Sequence, residues 1–567
     1  MFSDRLHAYF RSAARDDALA AFIVAILLIP QSLAYALLAG LPPQVGVYAS
    51  LLPMLAYAAL GSSRVSSVGP VALTALMTAQ ATAALAAAGS GAPLVSPTDA
   101  ALVLAAETGL LLGAAALLRL DALASLLSVP VLHGFETGAT LSIALSQLPA
   151  IIGASAHGSS LPALVQSWRQ AETPWLPLTA LYGGLAVLGL WASRRYLVEL
   201  LSRRWPRPRA EMAARFAPLL VLGAAAACAA LTGAAGRGVS LVGELPALTP
   251  SLALPLLDLD LWWRLLPGAL PIALVAFVSS LVVAESLARR HGGRIRPKRE
   301  LLGLAGANLV AAVSSGMPVA ASFSRSVVNA EAGSRTRMTG VFTAATMALA
   351  MLLLAKPLAW LPNAVLAATI LVAVLSGLSL APYRLAWRYD RIEWAVMAGV
   401  TAATLLQGVA WALGIGVAAS IALLLQRTAR PHIALIGRIP GSEHFRNADR
   451  YDVETVPEVL GMRIDESLLF VNARQLTDVV TRQLGKQPAA RRVLLLMSPV
   501  NRVDFSGLEA LHALHDALQA RGVRLDLSEV KGPVLDSLRR GEWSGWFRGR
   551  VFLSHHQGLL DEQGRAG

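Results

Sequence analysis

Two short stretches carry the residue types that could hold an anion: 66–77 (SSVGPVALTALM) and 316–330 (GMPVAASFSRSVVNA). Each opens with small residues and a proline suited to extended backbone, then turns apolar and helical. A helix that starts partway through an apolar segment leaves its first backbone N–H groups unpaired, equivalent to about half a positive charge. Two such ends inside a bilayer make a site for an anion. At the second end Ser324 can donate its hydroxyl to an oxyanion or cap the helix, and Phe323 is placed to line a pocket. Arg325 puts a full charge where a membrane is dry. Such a charge is costly and by default functional, either as the counter-charge of an anion or as a donor to neighbouring carbonyls. The two helix ends supply roughly one positive charge together, and the guanidinium adds another, enough to offset a monovalent or divalent anion. Gln31 and Tyr35 lie one turn apart on one face and offer an amide and a hydroxyl, to an anion or to a neighbouring helix. At the first end Val71 and Ala72 offer only backbone N–H groups, so recognition there rests on dipole and shape.

Three acids in apolar segments are candidates for carrying a proton: Glu107, Glu136 and Glu285. Glu107 has apolar residues on both sides and reads as a proton carrier or as a structural acid. Glu136 stands near His133, and Glu285 reads also as an interfacial partner of Arg289. Enzyme chemistry is not indicated. There is no P-loop, nucleophile elbow or metal-ligand cluster, so no catalytic residue, metal site or cofactor is expected. His512 and His515, three apart, are too few for a metal claim. Cys228 is the only cysteine and lies in an apolar segment, so there is no disulfide.

The elements that must position these residues are membrane helices. Mean hydropathy is +0.57 and 55% of the 567 residues are hydrophobic, too apolar for a soluble chain. Fourteen apolar segments lie near 18–38, 43–60, 67–87, 100–118, 122–150, 176–193, 216–233, 265–288, 301–315, 322–332, 339–356, 360–379, 392–407 and 410–427. The net charge of +13 is sorted by side. The N-terminal tail (Arg5, Arg11 and Arg15) and the even-numbered connections hold 23 Lys and Arg, the odd-numbered ones 4. This positive-inside asymmetry predicts both termini in the cytoplasm of a bacterial inner (plasma) membrane protein and argues against nucleic acid as a partner. The basic run 289–299 serves orientation first and lipid contact second.

The half-helix segments stand third and tenth, seven apart. An odd spacing inverts one repeat relative to the other, so a 7+7 inverted repeat would turn their positive ends toward each other. The expected domains are a transmembrane part at 1–428, a polar linker at 429–451 and a soluble α/β domain at 452–567. In the last, 468–471, 493–496 and 523–527 read as strands and 474–484 and 507–520 as helices. Asp504 and Ser506 begin the second of these helices, with Ser506 read as its cap or as a regulatory hydroxyl.

These motifs resemble one family. The stretches 29–43 (IPQSLAYALLAGLPP), 61–70 (GSSRVSSVGP), 134–147 (GFETGATLSIALSQ), 300–308 (ELLGLAGAN) and 322–329 (SFSRSVVN), with Gly46, Tyr48 and Pro53, are similar to the sulfate permeases, or SulP family. The tail, with 503–508 (VDFSGL) and 529–533 (EVKGP), resembles their STAS domain. The resemblance implies fourteen segments in which a core of helices 1–4 and 8–11 moves against a gate of helices 5–7 and 12–14, elevator-fashion. It also implies a homodimer, and as substrate sulfate, bicarbonate, chloride, oxalate or a dicarboxylate, in some members proton- or sodium-coupled and in others exchanged or conducted. The anion-contacting positions of the family fall on Phe323, Ser324, Gln31 and Tyr35. One departure stands out: Ser279 occupies the helix-8 position where many members carry an acid, and Val283 replaces the Thr of sodium-coupled members. Coupling through that site is therefore doubtful. Sulfate is the first expectation for secondary transport, with uncoupled conduction as an alternative and STAS-based sensing as a reading of another class.

Overall fold

The computed structural model describes residues 9, 13–88, 95–119, 128–154, 156, 158, 160–170, 175–244, 252–291 and 294–563. Arg5, Arg11 and residues 122–127 of the fifth apolar segment lie outside them. Fourteen helices follow the fourteen apolar segments. They are α1 Ala14–Leu38, α2 Pro43–Leu60, α3 Ala72–Ala88, α4 Pro97–Leu117, α5 Val129–Ile152, α6 Pro177–Ala192, α7 Ala217–Thr232, α8 Leu259–His291, α9 Pro297–Val313, α10 Phe323–Glu331, α11 Met338–Ala359, α12 Asn363–Ser376, α13 Arg391–Gln407 and α14 Val409–Ala429. Proline begins α2, α4, α6 and α9, where its missing N–H is not needed and its fixed φ suits the first turn. Most of these helices are apolar all round, as a lipid-embedded bundle requires. Small residues let them approach: a Cβ at Gly46 would stand 1.8 Å from the Ser32 carbonyl oxygen, and one at Gly134 2.5 Å from that of Met397.

The packing carries the inverted repeat. Helix α4 packs on α9 as α11 packs on α2, α8 on α4 as α1 on α11, α3 on α8 as α10 on α1, and α13 on α5 as α6 on α12. Adding seven to each helix number converts one partner of each pair into the other, and the α2–α9 and α5–α12 contacts map onto themselves. These contacts also sort the helices into two bodies. One gathers α1–α4 with α8–α11; the other gathers α5, α6, α12 and α13. The chain is thus a polytopic α-helical membrane protein.

Helices α3 and α10 are cut short. Each follows a three-residue strand, β1 Ser67–Gly69 and β2 Ala320–Ser322, and the two strands pair antiparallel with Val68 opposite Ala321. This clasp sits inside the bundle, with all six of its residues buried.

The soluble domain holds a six-stranded sheet of order β4–β3–β5–β6–β7–β8. Its strands are β3 Ile433–Arg438, β4 Phe445–Asn447, β5 Val459–Ile464, β6 Arg492–Leu496, β7 Arg524–Ser528 and β8 Val551–Phe552. Strands β5 to β8 run parallel, joined by α15 Ala473–Lys486, α16 Phe505–Gln519 and α17 Gly532–Arg540, and α18 His555–Gln563 closes the domain. Two expectations change. The stretch 429–451 is not a plain linker, because it carries the antiparallel strands β3 and β4; its polar composition comes from the residues that flank the short apolar run 433–436. The apolar run 468–471 is not a strand: only Leu468 bridges, to Val503, while Phe470 is 69% exposed. The strand before α15 is instead β5, whose Gly461 and Arg463 hid it. A Cβ on that glycine would stand 3.0 Å from the Ile436 carbonyl oxygen, a tight contact with the neighbouring strand.

Candidate functional site

Extended backbone inside a membrane must find partners within the protein, and buried polar side chains supply them to both strands. The Val319 N–H donates to Asn308 Oδ1 at 2.9 Å, and Asn308 Nδ2 donates back to the Val319 carbonyl at 3.1 Å. The Ala321 N–H donates to Ser280 Oγ at 2.9 Å, and the Ser67 N–H to Ser326 Oγ at 2.9 Å. Asn329 Nδ2 donates to the Val65 carbonyl at 2.9 Å. The clasp therefore holds the N-termini of α3 and α10 side by side.

Ser322, rather than Ser324, caps α10: its Oγ accepts from the Arg325 N–H at 3.5 Å. Ser324 lies in the first turn with an exposed side chain, Oγ 3.3 Å from Ser322 Oγ, and Phe323 beside it is 55% exposed. Arg325 points the other way and is fully buried. Its guanidinium donates to the Pro70 carbonyl at 3.0 Å and to Gln31 Oε1 at 3.1 Å, while Nε is buried without a hydrogen-bond partner. A positive charge is thereby fixed between the turn that begins α3 and the middle of α1. Gln31 accepts with its oxygen and keeps its amide donors; Tyr35, one turn on, is buried. Val71 is half-buried and Ala72 buried at the start of α3.

Two cavities flank this assembly between the helix bodies. The larger, about 430 Å³, runs from Gln31 and Pro30 past Val328 and Thr369 to exposed Arg194 and Glu211. Arg215 and Glu331 also line it and form an ion pair at 3.2 Å. The smaller, about 50 Å³, is lined by Leu73 of α3, Phe135 and Glu136 of α5, Val278 and Ser279 of α8, and Leu413 of α14. Of the three candidate acids, Glu136 alone lines one of these two cavities. Glu107 is buried on α4 with Oε2 unpartnered, and Glu285 is half-buried on α8 and forms no ion pair with Arg289. The Ser279 hydroxyl donates to the Val275 carbonyl of its own helix at 2.6 Å.

Two buried acids with structural work were missed. Glu300 accepts from the Tyr57 hydroxyl at 2.6 Å and from the Ser62 and Ser63 N–H groups at 2.9 and 2.8 Å, tying the approach to β1 onto α9. Asp17 accepts from the Arg335 and Thr336 N–H groups at 2.7 and 3.1 Å and from Thr339 Oγ1 at 3.0 Å, tying the turn after α10 onto α1. A charged residue near a helix end reads as interfacial until its distant partners are seen.

In the soluble domain Asp504, not Ser506, is the cap of α16. Its Oδ1 accepts from the Gly507 N–H and its Oδ2 from the Phe470 N–H, both at 2.8 Å, which leaves Ser506 exposed in the first turn. His512 stacks on Trp546, centroids 4.2 Å apart, and buried His515 accepts from the Arg548 N–H at 3.2 Å, so both rings are packed into the fold.

Facing half-helix ends in an inverted repeat define a membrane carrier of the broken-helix type. The chain belongs to the sulfate permease family, whose profile matches residues 15–400, and a STAS-domain profile matches residues 450–558. A protein of Mycobacterium tuberculosis named a probable sulfate transporter is 33% identical over 94% of this chain and 92% of its own length. The chloroplastic sulfate transporter 4.1 of Arabidopsis thaliana is 30% identical over 91% of this chain and 75% of its own. Among solved structures, the murine Solute Carrier 26 family member A9 anion transporter in its inward-facing state matches with a TM-score of 0.84 at 22% identity, over 98% of this chain and 92% of that one. The transmembrane domain of the cyanobacterial bicarbonate transporter BicA matches at 0.60 and 20% identity, over 70% of this chain and 97% of that domain. Both share the fold.

Proposed function

We propose that this protein is a secondary transporter of a small inorganic anion, sulfate first. The observation that carries the reading is the pair of facing half-helix ends with the buried Arg325 charge held between them. Exposed Ser324 and the free amide donors of Gln31 add hydrogen bonds of the charge-assisted kind, each about 1.5–3 kcal/mol. A few of these offset much of the several kcal/mol lost in desolvating the ion. The relatives' names support sulfate over other oxyanions. The two helix bodies support an elevator-type motion in which α1–α4 and α8–α11 carry the site past α5–α7 and α12–α14. The family resemblance supports a homodimer in the bacterial inner membrane, and the basic connections support termini and STAS domain in the cytoplasm.

The test is radiolabelled sulfate uptake into proteoliposomes with and without an inward proton gradient. Accumulation above the external level under the gradient is the expected result. Arg325→Ala is expected to abolish uptake in protein that still folds. Uptake near the wild-type rate would show that the charge is dispensable, and no sulfate uptake by folded wild type would move bicarbonate and dicarboxylates forward.

A further inference from the structure

The connection between α12 and α13 contains a helix that the anion site does not use, Ala381–Tyr389. Nine residues are too few to cross a bilayer, and a membrane helix flanks it on either side, so it lies at the membrane surface. Pro382, Tyr383 and Ala386 are half-buried and share one face, and the helix packs on α13. The Tyr383 hydroxyl bonds the Thr401 hydroxyl of α13, which reaches the Gly134 carbonyl of α5 at 2.9 Å. The helix is thereby fixed to the body that holds α5, α12 and α13.

The rest of its surface is open and sets two chemistries side by side. Leu385 and Tyr389 stand one turn apart and are 69% and 83% exposed. Arg384 and Arg388, also one turn apart, form the neighbouring stripe, and both are exposed. Arginines of other basic connections meet acids: Arg215 meets Glu331 at 3.2 Å, and Arg335 meets Asp16 at 2.7 Å. Among the described residues Arg384 and Arg388 meet no acid, and their guanidiniums make no hydrogen bond. The adjacent acid is engaged elsewhere, since Asp390 caps α13 by accepting from the Ile392 and Glu393 N–H groups at 2.8 and 3.4 Å. Arg391 lies over the Trp387 ring, 5.3 Å from its centroid. Two unpaired positive charges therefore stand beside an open apolar stripe.

We propose that this helix binds an anionic phospholipid of the cytoplasmic leaflet, Arg384 and Arg388 holding the headgroup phosphate while Leu385 and Tyr389 lie against the upper acyl chain. A guanidinium is planar and forks onto phosphate oxygens. An apolar stripe beside a basic one suits the boundary between headgroup and hydrocarbon. Lipid is the occupant because the membrane helices on both sides bring this surface to the bilayer, and because an anionic headgroup supplies the charge that the protein withholds. A headgroup held here fastens the α5–α12–α13 body to the leaflet while the other body moves. That consequence rests on the elevator reading above; the binding site does not.

The experiment reads lipid contact directly and needs no transported anion. In the full-length chain Cys228, the only cysteine, is replaced by Ser, and exposed Ala381, one turn before Leu385, by Cys carrying a bimane label. The protein is reconstituted in phosphatidylcholine vesicles that contain either phosphatidylglycerol or phosphatidylcholine with a nitroxide on the upper acyl chain. The labelled phosphatidylglycerol is expected to quench more strongly, its relative association constant rising about five-fold for each arginine that takes part. Arg384→Gln with Arg388→Gln is expected to abolish the preference. Arg203→Gln with Arg204→Gln removes the same charge from two exposed positions after α6 and is expected to leave it intact. Equal quenching by the two lipids overturns the proposal. So does an equal loss in both double variants, which would mark diffuse attraction to a basic protein. A label that neither lipid quenches overturns it too, and would mark a protein surface as the occupant.

Discussion

Arg325 and Glu300 are both charges fully buried in an apolar bundle, yet they are held differently. Glu300 has a full set of donors: the Tyr57 and Ser62 hydroxyls and the Ser62 and Ser63 N–H groups. Arg325 has two acceptors and a bare Nε, so its charge is fixed in place without being neutralised. The first pattern is that of a structural clamp; the second leaves the fixed charge that the proposed anion site requires. Removing the clamp takes the acceptor from two N–H groups and two hydroxyls, those of Tyr57 and Ser62. Glu300→Ala is therefore expected to cost about 3 kcal/mol or more, seen as a lowered midpoint in detergent thermal unfolding, with Tyr57→Phe costing less. An unchanged midpoint for Glu300→Ala would show that water replaces the carboxylate. Sequence made Arg325 legible because a charge within an apolar run is conspicuous on its own. Glu300 was not legible as a clamp, because its partners lie up to 243 positions away and only folding brings them together.

At the scale of elements, α10 is a helix of nine residues, too short to persist unaided. Its position is set by the clasp, and the clasp by Asn308, which both accepts from and donates to Val319. Leaving that N–H and carbonyl unpaired in a dry interior costs about 1–3 kcal/mol for each group. The loss should also loosen the geometry of both half-helix ends at once. Asn308→Ala is expected to raise the KM for sulfate about ten-fold while expression persists; Asn308→Asp, which keeps the acceptor but loses the donor, should fall between. Equal KM values in all three proteins would mean that strand pairing alone sets the ends. The broken helices themselves were legible, since Pro and small residues interrupt apolar runs too short to span a bilayer. The pairing of β1 with β2 was not, because three-residue strands carry no periodicity. The same limit hid β4 in the soluble domain, and polar flanks masked the short apolar run 433–436 of β3.

At the scale of the whole molecule, the fourteen segments were legible because hydropathy reports burial in lipid directly, whereas the soluble sheet answers to a different physics and invites its own test. His555 lies almost fully buried in α18, its Nδ1 2.8 Å from Ser528 Oγ and its ring against Phe445. Burial, helped by the positive charge of Arg492, pushes its pKa from 6.5 down to about 3. The unfolded chain binds a proton on this ring below about pH 6.5, and the folded domain does not until near pH 3. Stability supplied by the neutral ring is thus complete above about pH 6.5 and is lost as the pH falls through that window. Between pH 7.5 and pH 5 the loss should reach about 2 kcal/mol. Hydrogen exchange on the full-length protein, corrected for intrinsic rates, would detect it as lower protection of β6, β7 and α18 at pH 5. His555→Gln, which cannot titrate, should be less stable at pH 7.5 but should lose most of the difference between the two pH values. Equal protection of the wild-type strands at both pH values would mean that the folded domain takes up the proton as readily as the unfolded chain, and that the packing around His555 opens under acid.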